Sequence, residues 1–145
     1  MSVKFFLDTN IFVYSFDSRN PAKQKKAQAL IDKALTGHVG LVSYQVVQEF
    51  LHVAMRKFEK PFSPQECRAY LDQVLSPLCD VLPSMNLYRQ ALDVKEESGF
   101  GFYDSLIVAS AVQGGCKTLY TEDLQNGQSI AGLTIQNPFL QDREP

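Results

Sequence analysis

Four acidic residues lie where apolar segments of the chain begin or end: Asp8, Glu49, Asp104 and Asp123. Asp8 and Asp123 each follow a short apolar run, and Asp104 precedes an almost wholly apolar stretch. Acids at such boundaries can meet in space when the apolar segments pack as one sheet with its helices. Carboxylates held close together repel one another unless a cation neutralises them, and their hard oxygen atoms favour Mg²⁺ or Mn²⁺. The pattern therefore predicts a divalent metal site.

Each of the four acids also has an ordinary structural explanation. Asp8 and Asp104 can cap helices, and Asp123 can form a turn. Glu49 lies at the margin of an apolar helical stripe, where a carboxylate either reaches water or faces a polar pocket. The metal prediction depends on the combination of the four acids and not on any one of them.

The composition is that of one soluble globular domain. The chain has 145 residues, of which 45% are hydrophobic and 21% charged, and we expect a single domain over residues 1–140 with a frayed tail at 141–145. No apolar run approaches the ~18 residues that span a bilayer, so we expect no membrane partner. The three cysteines lack a CxxC pair, which argues against a disulfide framework or a zinc site and fits a reducing cytoplasm.

A net charge of −2 gives the chain no general attraction for nucleic acid. Any contact with RNA must come from local basic residues or through metal ions. Two basic runs are candidates, although both could equally be solvated helix faces: Arg19, Lys23, Lys25 and Lys26, and then Arg56, Lys57 and Lys60. Phe102 and Tyr103 beside Asp104 could stack on bases, but core packing is the commoner use of such aromatic residues. His38 and His52 are not expected to bind metal.

Short apolar runs alternate with segments of helical period, which predicts an α/β domain with a mainly parallel sheet. Ligands bind beyond the carboxyl ends of the strands in such sheets. The predicted strands cover residues 3–7, 39–42, 79–82 and 117–120, with a weak edge strand at 134–135. The predicted helices cover residues 10–16, 21–37, 44–58, a segment after Ser63, 85–97 and 105–112.

Three stretches of the chain resemble the PIN-domain ribonucleases found as VapC-type toxins of toxin–antitoxin pairs. These are Phe6–Tyr14, which contains Asp8-Thr9-Asn10, then Phe102–Ala111, and finally Leu119–Leu124, with Glu49 between the first and the second. The resemblance extends over almost the whole chain and depends on the order and spacing of these stretches together. The resemblance implies a three-layer α/β/α sandwich and metal-dependent cleavage of single-stranded or looped RNA.

The resemblance also assigns roles to particular residues. Asp8 and Asp104 would be the principal Mg²⁺ ligands, and Glu49 and Asp123 would complete the acidic pocket directly or through water. The small polar residues Asn10 and Thr121 would orient those carboxylates. Some relatives have a further acid two places after Asp123, but this chain has Gln125 there. The fourth acid is therefore the least secure, and Glu122 could share its role.

Partners follow from the same resemblance, which implies an antitoxin that silences the enzyme and a homodimer. Apolar residues that could form such surfaces, or could equally be core, are Phe12, Tyr14, Phe16, Phe50 and Phe58. A phospho-receiver domain is disfavoured because it needs paired acids after its first strand, whereas Asp8 stands alone there. The remaining alternative is a catalytically idle module of the same fold that binds nucleic acid or an antitoxin.

Overall fold

The structure is a computed structural model that describes residues 3–140. The predicted tail at 141–145 lies outside these residues. The strands are β1 (Phe5–Leu7), β2 (Gly40–Ser43), β3 (Cys79–Val81), β4 (Thr118–Tyr120), β5 (Ser129–Ile130) and β6 (Leu133–Gln136). The helices are α1 (Thr9–Tyr14), α2 (Pro21–Gly37), α3 (Tyr44–Arg56), α4 (Pro64–Tyr70), α5 (Ser76–Leu78), α6 (Met85–Ser98) and α7 (Phe102–Gln113). A π-helical turn, Leu71–Leu75, joins α4 to α5.

The described strands form one sheet in the order β3-β2-β1-β4-β6-β5, and only β5 runs antiparallel to its neighbour. The predicted α/β class with a mainly parallel sheet is confirmed. The predicted strand at 134–135 is confirmed as part of β6, but its predicted place at an edge of the sheet is wrong, because β6 lies between β4 and β5. The edge strand β5 was not predicted. The turn that joins it to β6 consists of Ala131 at φ 53° and Gly132 at φ 80°. Alanine rarely adopts such a conformation, so the sequence carries no clear hairpin signal there.

Helices cover both faces of the sheet. Phe5 pairs with Gly40, so both lie on one face, and Leu41, the next residue of β2, points to the other. A Cβ atom at Gly40 would collide with Ala34 of α2, which places α2 on the Phe5 face. A Cβ atom at Gly114, directly after α7, would lie 2.6 Å from Leu41 Cδ1, which places α7 on the opposite face. The molecule is therefore an α/β/α sandwich.

The helix α7 is deeply buried, because every residue from Ser105 to Ala111 is buried. The sequence predicted this burial but placed Asp104 ahead of the helix. In the structure α7 begins at Phe102, with Gly101 at its N-cap position, so Asp104 lies in the first turn. The sequence could not locate this start because Gly101 provides no side chain to cap the helix.

Capping signals in the sequence locate two other helix starts. The Asp8 side chain accepts a hydrogen bond from the Thr9 backbone N–H at the start of α1. Ser63 and Glu66 form a full capping box at the start of α4. Asn20 occupies the N-cap position of α2, but its amide donates instead to Asp17 Oδ2 at 2.9 Å. Among residues 3–140, no helix is both long enough and apolar enough to cross a bilayer.

Candidate active site

Asp8 lies directly after β1, at the carboxyl edge of the sheet. Its backbone N–H donates to the carbonyl of Tyr120 at 3.1 Å, so the residue extends the pairing of β1 with β4. Its side chain is 6% exposed. Oδ1 accepts a hydrogen bond from the Thr9 backbone N–H at 2.7 Å, and Oδ2 accepts one from the hydroxyl of the buried Thr121, also at 2.7 Å. These two bonds fix the orientation of the carboxylate.

Burial is the main reason why the pKa of Asp8 rises from its ordinary value of 3.8 to about 7. The negative charges of Asp123 and Glu49 raise this pKa further. The hydrogen bonds from Thr121 and Thr9 act in the opposite direction, because they stabilise the ionised carboxylate. A nearby cation would also favour the ionised form.

Glu49 and Asp104 approach the same place from two helices. Glu49, on α3, is an exposed residue and accepts a hydrogen bond from Thr9 Oγ1 at 3.3 Å. Partial desolvation of the Glu49 carboxyl raises its pKa, and the charges of Asp104 and Asp123 raise it further. Burial also raises the pKa of Asp104, with a second contribution from Asp123. The four carboxylates are therefore close enough together for the charge of one to raise the pKa of another.

Asp123 is positioned by the loop after β4. Its backbone N–H donates to Thr121 Oγ1 at 3.1 Å, and the same hydroxyl donates to Asp8. Thr121 is fully buried. One threonine therefore links the backbone of the Asp123 loop to the carboxylate of Asp8.

All four predicted acids line one open cleft with a volume of about 580 Å³. Asn10 lines the same cleft, and both of its side-chain amide atoms are buried without a hydrogen-bond partner in the described part of the chain. A buried polar group is normally paired, so an unpaired amide that faces a cleft fits contact with a ligand or water. Thr121 orients an acid, as described above, whereas Asn10 makes no hydrogen bond to one within residues 3–140.

Glu122 does not line this cleft. Its Oε1 accepts a hydrogen bond from the Tyr14 hydroxyl at 2.7 Å, and its Oε2 forms an ion pair with Lys23 Nζ at 2.6 Å. Lys23 also lies 4.6 Å from the centre of the Tyr14 ring. We call this cluster the Glu122 brace. It ties the loop that carries Asp123 to α1 and α2, and both carboxylate oxygens of Glu122 are engaged there.

The residue types in the cleft fit a hard divalent cation, because they offer carboxylate and amide oxygens. Within residues 3–140, however, no three acid, histidine or cysteine side chains come close enough together to form a ready-made metal site. Mutual repulsion of carboxylates is a physical reason for such separation. A cation bound here would have to draw the carboxylates towards itself.

The structure separates the basic and aromatic candidates. Arg19, Lys57 and Tyr103 line the cleft, and Tyr103 is 69% exposed. Lys23 belongs to the Glu122 brace. Phe12 and Phe50 are fully buried in the core. Neither His38 nor His52 lines the cleft, nor does Phe102.

Sequence reasoning missed Gln45. Its side-chain N–H donates to the carbonyl of Tyr103 at 3.2 Å and ties the start of α3 to the first turn of α7. Its Oε1 is buried without a partner in the described chain, and the residue lines the acidic cleft. A glutamine near a helix start carries no signal of its own, because only the tertiary packing of α3 against α7 gives it this role.

Comparisons with known proteins agree with the fold. The family model described as PIN domain matches residues 5–126. No curated protein sequence matches the chain significantly. The fold is similar to that of a toxin–antitoxin complex from Klebsiella pneumoniae, with a TM-score of 0.65, 21% identity, and coverage of 94% of this chain and 98% of that chain.

Two further solved structures are similar. DNA-bound VapBC from Salmonella typhimurium has a TM-score of 0.66 and 18% identity, with coverage of 94% of this chain and 99% of that chain. VapC20 from Mycobacterium tuberculosis, described as a sarcin-ricin loop cleaving toxin, has a TM-score of 0.55 and 18% identity, with coverage of 83% of this chain and 90% of that chain. At such identities, the likeness establishes the fold.

Proposed function

The chain belongs to the PIN-domain family, and from this premise we propose that it is a metal-dependent endoribonuclease and the toxin of a toxin–antitoxin pair. PIN domains are generally nucleases. The observation that carries the proposal is the convergence of Asp8, Glu49, Asp104 and Asp123 on one cleft. Four carboxylates around one open cleft disfavour the binding of an anionic polymer unless a cation is present. A nuclease that binds a metal ion in this cleft would need these four carboxylates close together.

Asp8 and Asp104 are the principal ligands in this proposal, and Glu49 and Asp123 complete the pocket directly or through water. A Mg²⁺ or Mn²⁺ ion would shield the phosphate and lower the pKa of water, so that hydroxide becomes available near neutral pH. Thr121 and the Thr9 backbone hold the Asp8 carboxylate in one orientation, which reduces the rearrangement needed for binding. The exposed Tyr103 and the cations Arg19 and Lys57 line the path by which RNA would enter.

The reaction proposed is hydrolysis at phosphorus. A new bond forms between the water oxygen and phosphorus, and the bond between phosphorus and the 3′ oxygen breaks. The 3′ oxygen takes up a proton, so the products carry a 5′-phosphate and a 3′-hydroxyl. Attack by the RNA 2′-hydroxyl would instead usually require a histidine base, and neither histidine lines the cleft.

The partners proposed are single-stranded or looped RNA as substrate, a cognate antitoxin, and a second copy of the chain in a homodimer, all in the cytoplasm. The alternative is an idle module that keeps the fold and binds nucleic acid or an antitoxin without cutting. Several relatives with this fold were solved as toxin–antitoxin complexes, some of them on DNA. Turnover separates the two proposals.

The test is cleavage of an end-labelled, structured RNA pool by purified protein with Mg²⁺ or Mn²⁺, beside EDTA and the variant Asp104→Asn. We expect cuts that require metal, leave 5′-phosphates and disappear in the variant. Asp32→Asn is the matched control, because it removes an exposed carboxylate from α2 instead. Absence of cutting across a broad pool, by folded protein free of antitoxin, would favour the idle module.

A further inference from the structure

A second groove adjoins the acidic cleft. It has a volume of about 430 Å³ and lies between the segment that follows α1 and the segment that joins α3 to α4. Its lining includes Phe16, Phe58, Lys60 and Phe62. It shares lining residues with the acidic cleft, among them Arg19 and Lys57. We call it the aromatic groove, and the shared residues make it continuous with the acidic cleft.

Phe16 forms a rigid apolar wall of the aromatic groove. Its ring centre lies 5.1 Å from that of Phe62, 5.3 Å from that of Tyr70 and 5.6 Å from that of Phe58. The residue nevertheless remains 40% exposed. A ring packed by several neighbours has already lost its rotational freedom, so a ligand that stacks on its open side orders little more. Such a ring is a suitable platform for a flat ligand group.

Cations outnumber anions in the lining of the aromatic groove. Arg19, Lys57 and Lys60 stand against Asp17 and Glu59. Asp17 and Arg19 compensate each other, because Asp17 Oδ1 accepts a hydrogen bond from Arg19 Nε at 3.0 Å, and Lys57 and Lys60 then exceed Glu59 by one positive charge. The chain as a whole carries a net charge of −2, so the groove departs from the overall charge in the direction that favours an anion.

We propose that the aromatic groove binds the single-stranded RNA next to the phosphate that is cut, with a base stacked on Phe16 and phosphates beside Lys57 and Lys60. This inference rests on the proposed ribonuclease function. An RNA strand cut within its length must continue beyond the acidic cleft, and this groove provides a continuous path. A flat aromatic wall beside cations matches the two recurrent features of single-strand binding, which are base stacking and attraction of the backbone. Stacking tolerates any base, so the groove would contribute affinity and not sequence preference.

The test measures RNA binding in an Asp104→Asn background, in which RNA is not cut. The probe is a short single-stranded RNA with 2-aminopurine at successive positions, whose fluorescence falls when the base stacks. We expect Phe16→Ala to weaken binding about tenfold and to abolish quenching at one or two neighbouring positions. Phe16→Tyr retains the ring and should restore both signals. Thermal unfolding of each variant checks that the fold is intact.

Lysine variants provide a test that does not alter the aromatic packing. Lys57→Ala and Lys60→Ala should each weaken binding and reduce the slope of affinity against salt concentration by about one. Lys117→Ala is the matched control, because Lys117 is exposed and precedes β4 at the opposite edge of the sheet from Asp8. It should change neither quantity.

The outcomes separate this inference from the proposed function. Suppose that the unsubstituted protein cuts RNA with metal, but that RNA affinity and quenching are unchanged in Phe16→Ala and the lysine variants. This result would reject RNA binding in the aromatic groove, leave the nuclease proposal intact and favour a protein segment as the ligand of the groove. Stacking and salt effects as expected, without cleavage under any metal, would support the groove and reject the nuclease. In the cutting enzyme, Phe16→Ala should raise KM with little change in kcat, as expected for lost binding energy away from the reacting atoms.

Discussion

The substitution Asp8→Asn should stabilise the metal-free protein at high pH, although it removes a proposed metal ligand. In EDTA the folded protein holds Asp8 at a pKa of about 7, against an ordinary value of 3.8. Between these two pH values the folded state binds more protons than the unfolded state, so stability falls as pH rises through the window. Ionising a buried Asp8 therefore costs folding free energy, and asparagine avoids this cost.

The size of the effect follows from the shift in the pKa of Asp8. A rise from 3.8 to about 7 corresponds to about 4 kcal/mol at pH 8, at about 1.4 kcal/mol for each pH unit. Only about 2 kcal/mol of this cost is present at pH 5. The free energy of unfolding of Asp8→Asn, minus that of the unsubstituted protein, should therefore increase by about 2 to 3 kcal/mol from pH 5 to pH 8. Asparagine also loses an acceptor for Thr121 or Thr9, which subtracts about 1 kcal/mol at both pH values and leaves the change with pH intact.

Urea unfolding in EDTA at several pH values measures this difference, with Asp32→Asn on α2 as the control for removing an exposed charge. Saturating Mg²⁺ should then stabilise the unsubstituted protein, by about 2.7 kcal/mol at one hundred times its dissociation constant, and should not stabilise Asp8→Asn. A stability difference that does not change between pH 5 and pH 8 would refute the argument. It would show that the folded protein ionises Asp8 without a burial cost.

Three further substitutions test how the acids are held. Thr121→Val removes the hydrogen bond to Asp8 Oδ2. A hydrogen bond to a charged group contributes about 1.5–3 kcal/mol, so its loss should raise the pKa of Asp8. The acid limb of the pH profile of cleavage should therefore move upwards by about one pH unit or more. An unchanged acid limb would mean that Asp8 does not set it. Glu122→Gln should leave Mg²⁺ affinity within about fivefold, measured by calorimetry, because its partly exposed ion pair contributes at most about 1 kcal/mol. Asp123→Asn should instead weaken Mg²⁺ affinity at least tenfold. Equal losses in the two variants would place Glu122 among the ligands.

The sequence indicated a shared location for Asp8 and Asp104 because both lie next to recognisable buried elements. Asp8 comes directly after a buried strand, and Asp104 comes at the start of a buried helix. In a parallel sheet the carboxyl ends of the strands share one edge, so these local positions imply a common location. The prediction therefore needed the order of the elements and their type, but not their detailed packing.

Features that depend on tertiary packing were not predictable in this way. The aromatic groove requires the segment after α1 to lie against the segment after α3, and nothing in the sequence near Phe16 indicates that approach. The pairing of β6 with β4 is equally non-local, and the antiparallel β5 depends on an alanine in an unusual backbone conformation. Glu122 and Asp123 are adjacent in sequence, but only the structure shows that one belongs to the brace and the other to the cleft.

The structural and functional explanations of Asp8 are compatible, although either alone would account for an aspartate at this position. An ionised carboxylate has about four lone-pair sites on its two oxygens. The Thr9 N–H uses one site on Oδ1, and the Thr121 hydroxyl uses one on Oδ2. Each oxygen thus keeps one site for a cation, while the bonds to Thr9 and Thr121 hold the group in place. Capping the helix α1 is therefore compatible with the proposed metal binding by the same carboxylate, and the cap supplies an orientation that such binding would require.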